Sequence, residues 1–185
     1  MSQDNKKRVV LHDRTFELSI PYAQIDKAIA DLGERLNKDY KDVKTPIFLG
    51  VLNGAFMFMS ELMQKIDFTC EVSFVKLASY SGVESTGKVQ ELIGLNGSLE
   101  GRNIIVVEDI VDTGESMEHL LKVLAQYKPA SVEIATLLFK PSKFQKEYSV
   151  KYRAMEIPND FIAGFGLDYD EIGRNLKDIY TVVNE

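Results

Sequence analysis

Hydrophobic positions along the chain fall into blocks with alternately helical and strand-like spacing. From Tyr22 to Tyr40 apolar side chains recur every three or four residues, with Pro21 just before the first turn, and this spacing predicts a helix. The short apolar run Ile47 to Leu52 predicts a strand. After Asn53-Gly54, which predicts a tight turn, the spacing from Phe56 to Ile66 predicts a second helix.

The same alternation continues to the end of the sequence. Further strands are predicted at Thr69–Ala78, Ile104–Val107 and Ser131–Phe139, with short ones at Phe161–Gly164 and Ile179–Val183, and a helix is predicted from Met117 to Tyr127. Strands without strict alternation, separated by helices, predict an α/β fold with a mostly parallel sheet flanked by helices. In such a fold ligands bind at the carboxyl ends of the strands.

Length and composition limit the choice of function. The 185 residues predict one domain, residues 1–185, and the net charge of −6 disfavours nucleic-acid or membrane-surface partners. Cys70 is the single cysteine, so no internal disulfide forms and a cytoplasmic location is expected. The polar segment 1–8 and the short apolar runs predict neither a signal peptide nor a transmembrane helix.

The two histidines, His12 and His119, lie in no hydrolase or metalloprotease motif. Any chemistry is therefore expected from carboxylates, lysine, tyrosine and the backbone.

The most informative segment is Val106 to Met117, with the sequence VVEDIVDTGESM. A predicted buried strand ends in Glu108-Asp109, and Asp112 to Ser116 leads into a helix. Four carboxylates within eight residues repel one another unless a cation or hydroxyl groups share them. The hydroxyl and backbone N–H groups of Thr113, Gly114 and Ser116 at a helix start suit a phosphate.

A simpler interpretation is that Asp112 or Thr113 only caps the helix and that the acids form a solvated patch. That interpretation does not explain why Glu108 and Asp109 directly follow a buried strand. No Walker A or dinucleotide-binding glycine motif occurs in the sequence.

The segment resembles the phosphoribosyl-diphosphate (PRPP) binding motif of the type I phosphoribosyltransferases: two apolar residues, two acids, two apolar residues, then D-T-G-x-[ST]. The rest of the chain resembles the hypoxanthine-guanine branch of that family from about Ile47 to Asn175. The supporting pieces are GVLNGAF (50–56), ASYSG (78–82), LLFK (137–140) and FIAGFGLDYDEIGRN (161–175).

This resemblance implies purine salvage, in which hypoxanthine or guanine displaces diphosphate from PRPP and gives a nucleoside 5′-monophosphate. It implies that Glu108 and Asp109 hold the ribose hydroxyls and Mg²⁺, directly or through water. The loop Asp112, Thr113, Gly114, Glu115 and Ser116 would bind the 5′-phosphate, and Asp112 would share the proton at purine N7.

For the diphosphate, the resemblance implies binding by the turn Leu52, Asn53 and Gly54, a turn that often holds a nonproline cis peptide in relatives. Relatives commonly carry lysine where this chain has Asn53, so more of the contact must fall on the backbone. Ser79 and Tyr80 match lid residues, within a polar loop (79–87) that would cover the activated sugar, and Arg174 matches a residue that reaches the diphosphate.

For the base, the resemblance implies that Lys140 donates to the 6-oxo group and Phe161 stacks on the purine. Ile162 would read the ring edge through its backbone, and Asp168 would approach a second Mg²⁺. A small hood made from both chain ends would cover the base, and a homodimer or homotetramer is implied.

Two rivals remain. A xanthine- or adenine-preferring relative is one, although Lys140 disfavours adenine because its 6-amino group is a donor. The other is a PRPP-sensing regulator that binds nucleic acid on the same fold, and the basic stretch 140–153 is the feature that favours it.

Overall fold

The computed structural model describes residues 7–77, 91–93 and 98–183. In chain order the described strands are β1 (Arg8–Leu11), β2 (Arg14–Ile20), β3 (Ile47–Leu52), β4 (Glu71–Lys76), β5 (Glu91–Ile93), β6 (Asn103–Val111), β7 (Ser131–Phe139), β8 (Tyr152–Glu156), β9 (Ile162–Ala163) and β10 (Ile179–Val182). The described helices are α1 (Tyr22–Tyr40), α2 (Phe56–Met63) and α3 (Glu115–Ala125).

The larger sheet has the strand order β5-β4-β3-β6-β7-β8. Its neighbours run parallel except for β4 and β5, which are antiparallel. The predicted α/β fold with a mostly parallel sheet is therefore confirmed. Parallel strands place their carboxyl ends at one edge, so the residues after β3, β6 and β7 meet there.

The larger sheet is covered on both faces, which explains its unbroken apolar strands. Alternate residues of β6 enter different cores, because Ile105 packs into a core that includes α1 and α2, whereas Ile104 packs into a core that includes α3. All four strand residues from Ile104 to Val107 are fully buried. No described helix combines the length and hydropathy that a bilayer span requires.

A second, antiparallel sheet has the order β1-β2-β10-β9 and joins segments near both ends of the chain. The carboxylate of Asp178, just before β10, accepts hydrogen bonds from Lys7 Nζ and from the backbone N–H of Tyr22, each at 2.9 Å. This contact fixes the start of α1 against the C-terminal strand. The idea that this sheet forms a hood over a base stays a prediction.

The pattern-based boundaries differ from the structure at several places. Helix α2 ends at Met63 rather than Ile66, and β4 is shorter than the predicted Thr69–Ala78. Strands β1, β2, β5 and β8 were not predicted from the hydrophobic pattern.

We expect Val75→Ala to lower the free energy of unfolding by about 2 kcal/mol, because Val75 is fully buried in β4 and the change removes two methyl groups and leaves a cavity. Val72→Ala in the same strand is the matched control: Val72 is 45% exposed, so the loss should stay below about 1 kcal/mol. Urea unfolding of both variants measures the difference. Equal losses would mean that β4 is not packed as described.

Candidate active site

The acidic pair lies within β6 rather than after it. The sequence predicted that the strand ends at Glu108-Asp109, but β6 continues to Val111. Pairing of β6 with β3 stops at Val107, whereas pairing with β7 continues to Val111. Beyond Val107, β6 therefore has no pairing with β3, and the acids lie at this opening of the sheet.

Both acids of the pair are in an environment that disfavours their charge. Burial raises the pKa of Glu108 well above its usual value, and the neighbouring Asp109 adds to the shift. Burial also raises the pKa of Asp109 to about 6, although a hydrogen bond from the Ile110 N–H at 2.8 Å and the charge of Arg174 oppose this shift. Oε2 of Glu108 is buried and has no hydrogen-bond partner among the described residues.

The turn after β3 packs directly against this acidic pair. The Leu52–Asn53 peptide bond is cis. A β-carbon at Gly54 would overlap Oδ2 of Asp109, so only glycine allows the turn to approach the carboxylate this closely. Asn53 is exposed at the tip of the turn.

Arg174 and Asp168 lie next to the same turn. Arg174 Nη2 forms an ion pair with Asp168 Oδ1 at 2.7 Å, and Nη1 donates to the carbonyl of Gly166 at 2.8 Å. Gly166 in turn contacts the Gly54 carbonyl. The opposite effects of Arg174 and Asp168 on the pKa of Asp109 reflect their proximity to it.

The loop from Asp112 to Ser116 joins β6 to α3. Gly114 has a φ of 85°, a left-handed conformation that favours glycine, and α3 begins at the next residue. The first backbone N–H groups of a helix have no acceptor within it, so they are available to an anion. A pocket of about 260 Å³, lined by Glu108 and residues 110–117, opens at this loop.

Asp112 is held by two lysines through one oxygen only. Its Oδ2 lies 3.2 Å from Lys140 Nζ and 3.4 Å from Lys143 Nζ. Its Oδ1 is buried and has no hydrogen-bond partner in the described part of the chain. The carboxylate therefore keeps one acceptor oxygen for another group.

Lys140 connects this carboxylate to the segment that carries Phe161. The side chain of Lys140 is only 8% exposed, and its Nζ also donates to the carbonyl of Asp160 at 2.9 Å. An ammonium group has three donors, so two acceptors leave one N–H for a ligand.

Phe161 and Ile162 have different environments. Phe161 is 44% exposed, and its ring packs edge-on against Tyr169 at 5.7 Å and also contacts Phe16. Ile162 is buried in β9, where it pairs with Thr181. An exposed aromatic face therefore lies next to a backbone edge that is fixed by a sheet.

Those predicted site residues that the structure describes therefore lie together around the carboxyl ends of β3, β6 and β7. Ser79, Tyr80 and the loop 79–87 lie outside the described residues. The motifs did not single out Lys143, Tyr148 or Tyr169, although Lys143 follows Lys140 by three residues and Tyr169 lies inside the GLDYDE motif.

The basic stretch 140–153 is not a free cationic surface. Its lysines and arginine all form ion pairs, with Asp112, Glu118, Asp39 or Glu156. The feature that favoured a nucleic-acid partner is therefore largely neutralised within the protein.

No group of three or more His, Cys, Asp or Glu side chains is placed to hold a metal ion among residues 7–77 and 98–183.

Comparison with known proteins identifies the family. The model of the phosphoribosyl transferase domain matches residues 21–170. The hypoxanthine-guanine phosphoribosyltransferase of Staphylococcus aureus (strain Mu50) is 37% identical over 176 residues, which are 95% of this chain and 98% of that protein. The enzyme of the same name from Staphylococcus epidermidis is 38% identical over 162 residues, 87% of this chain and 90% of that protein.

Solved structures support the same family. A hypoxanthine phosphoribosyltransferase from Staphylococcus aureus superimposes with a TM-score of 0.81 at 36% identity, covering 90% of this chain and 91% of that one. A hypoxanthine-guanine phosphoribosyltransferase from Bacillus anthracis gives a TM-score of 0.80 at 30% identity, covering 91% and 97%. The resemblance that the PRPP motif indicated is confirmed, and the chain belongs to the phosphoribosyltransferase family.

Proposed function

We propose that this phosphoribosyltransferase transfers the 5-phosphoribosyl group of PRPP to hypoxanthine or guanine, with release of diphosphate and formation of IMP or GMP. The observation that carries the proposal is the Lys140–Asp112 ion pair, with Nζ and Oδ2 3.2 Å apart. Asp112 opens the loop 112–116 and keeps its buried Oδ1 without a partner among the described residues, and Lys140 also contacts the carbonyl of Asp160, next to the exposed Phe161. The names of the relatives support the same substrates.

The loop 112–116, which we call the phosphate loop, would bind the 5′-phosphate. Its first helical N–H groups and the Thr113 and Ser116 hydroxyls surround the pocket. Backbone N–H groups at a helix start can donate to phosphate oxygens without bringing a charge of their own.

Asp112 would share the proton of purine N7 through Oδ1. That oxygen is buried and has no hydrogen-bond partner among the described residues, so accepting a proton would satisfy it. The two lysines on Oδ2 hold the carboxylate in place without occupying Oδ1.

Lys140 would donate its remaining N–H to the 6-oxo group, and Phe161 would stack on the purine with its exposed face. The backbone of Ile162 would then read the ring edge. Adenine fits less well, because its 6-amino group and the Lys140 ammonium are both donors.

Glu108 and Asp109 would hold the ribose hydroxyls and Mg²⁺, and Asp168 would approach a second Mg²⁺. The donor set fits, because Oε2 of Glu108 is buried without a partner and a cation would favour the ionised form of both acids. Mg²⁺ is commonly bound by one or two carboxylates together with substrate oxygens. When bound, it would neutralise charge on the departing diphosphate.

The same carboxylates would favour the positive charge that builds on the ribose ring as diphosphate leaves. The turn Leu52, Asn53 and Gly54 would bind the diphosphate through its backbone, because Asn53 brings no charge. Arg174, Ser79 and Tyr80 would complete this part of the site.

We propose a cytoplasmic homodimer or homotetramer. A single cysteine is the feature that supports a reducing compartment, and burial raises the pKa of the Cys70 thiol, which makes it less reactive. The oligomer is inferred from the family resemblance.

The purine specificity is tested by offering PRPP and Mg²⁺ with hypoxanthine, guanine, xanthine or adenine and measuring nucleotide formation by chromatography. We expect product from hypoxanthine or guanine and little from adenine. Product from xanthine alone would identify the xanthine-preferring relative. Binding of PRPP without any product would favour the regulator.

Asp112→Asn should lower kcat by about 100-fold or more, because the amide cannot take up the N7 proton. Binding of GMP by calorimetry should change much less, since the phosphate contacts remain. Asp39→Asn is the control, because Asp39 is also paired with a lysine, Lys151 at 2.9 Å, and has no proposed role in the site. Unchanged turnover in Asp112→Asn would contradict the proposed role.

Lys140→Ala should reduce the preference for hypoxanthine over adenine, measured as a ratio of kcat/KM, by about 1 to 3 kcal/mol. Lys143→Ala is the matched control, because Lys143 contacts the same oxygen of Asp112 but makes no contact with the Asp160 carbonyl. Its base preference should stay near the wild-type ratio. Equal effects in the two variants would contradict a direct role for Lys140 in base recognition.

A further inference from the structure

The segment that follows β7 packs over the phosphate loop. We call residues 140–148 the cover segment. Lys140 and Lys143 contact Asp112, Lys146 Nζ forms an ion pair with Glu118 Oε2 at 2.9 Å, and the Tyr148 hydroxyl donates to the Gly114 carbonyl at 2.6 Å. The cover segment therefore contacts the loop at its start, at its centre and in the first turn of α3.

The Gly114 carbonyl receives two hydrogen bonds. One comes from the backbone N–H of Glu118 at 2.9 Å, and the other is from Tyr148. The carbonyl of Gly114 and the N–H of Glu115 belong to one planar peptide unit and point in opposite directions. Fixing the carbonyl therefore fixes the direction of the Glu115 N–H. Within the described part of the chain, this N–H has only one long contact, to the Thr113 hydroxyl at 3.4 Å.

We propose that Tyr148 is a positioning residue for 5′-phosphate binding: its hydroxyl holds the Gly114–Glu115 peptide so that the N–H groups at the start of α3 face the phosphate. The inference rests on the proposed function, because it assigns Tyr148 to the phosphate of PRPP and of the product nucleotide.

Tyr148 is itself held in place by aromatic contacts. Its ring packs edge-on against Phe144 with the centroids 5.2 Å apart, and Phe144 packs against Phe139 at the end of β7 at 5.1 Å. Burial raises the pKa of Tyr148 to about 12, so the hydroxyl stays protonated and remains a donor at neutral pH.

The loop and the cover segment are also matched in shape. A β-carbon at Gly114 would collide with the Tyr148 hydroxyl and with the ring of Phe144. Gly114 is thus required both for its φ of 85° and for the approach of Tyr148. The direct contact lets the tyrosine act on the peptide without an intervening side chain.

The test compares ligands that differ only in the phosphate. We expect Tyr148→Phe to weaken GMP binding by about 5- to 10-fold while leaving guanosine binding unchanged, both measured by calorimetry. The KM for PRPP should rise by a similar factor, and the KM for the purine should not change. Phenylalanine keeps the ring contacts with Phe144, so the change removes only the hydroxyl.

Tyr152→Phe is the matched control, because Tyr152 also loses a hydroxyl bond, to Asp39 Oδ2 at 2.8 Å, but away from the phosphate loop. Its ratio of GMP to guanosine affinity should equal that of the wild type. The proposal is overturned if GMP and guanosine weaken together in Tyr148→Phe, or if GMP binding is unchanged. It also falls if wild-type protein binds GMP no better than guanosine.

These results separate the inference from the proposed function. Failure of the proposed function shows in the wild-type protein as absence of nucleotide formation from hypoxanthine and guanine. Failure of the Tyr148 role shows in the binding of GMP and guanosine to the wild type and the two tyrosine variants, a comparison that needs no turnover.

Discussion

The ion pair between Lys140 and Asp112 joins the ends of two neighbouring strands, β7 and β6. Lys140 directly follows β7 and Asp112 directly follows β6, and the parallel register brings Val111 opposite Phe139. A nearly buried ammonium is costly unless acceptors surround it, and the Asp112 carboxylate and the Asp160 carbonyl supply them. The phosphate loop and the Phe161 segment are thereby fixed with respect to one another, which a ligand with a phosphate at one end and a base at the other requires.

The acidic pair depends on a different feature of the same sheet. Pairing of β3 with β6 stops at Val107, so Glu108 and Asp109 lie beyond the part of β6 that β3 covers. Gly54 then allows the turn to contact Asp109 closely. Burial raises the pKa values of both acids, so it disfavours their ionised forms, and a nearby cation would favour those forms. Under the proposed function, this environment would suit Mg²⁺ and the positive charge that builds on the ribose ring.

Much of this arrangement could be predicted from the sequence, and the errors have physical causes. Helix α1, strands β3 and β7, and the motif from Glu108 to Ser116 follow from periodicity and residue type. The predicted end of β6 was wrong, because consecutive acids are rare inside a buried strand and usually indicate that the strand has ended. Strand β8 was missed because Tyr152 is its only buried residue and the flanking cations suggested a solvated stretch. Partners distant in sequence, such as Tyr148 and Gly114, cannot be predicted from local spacing.

The net charge of −6 disfavours anionic polymers, yet PRPP is a small polyanion. A negatively charged protein can bind this anion if the groups that contact the phosphate differ from the charged groups that hold the loop. Under the proposed function, uncharged N–H groups at the start of α3 would bind the 5′-phosphate, so that position would need no cation. The lysines of the cover segment are occupied with Asp112 and Glu118, so they hold the loop in place and do not form a basic surface. The local pairing of charges, and not their sum, therefore decides which anion this site can accept.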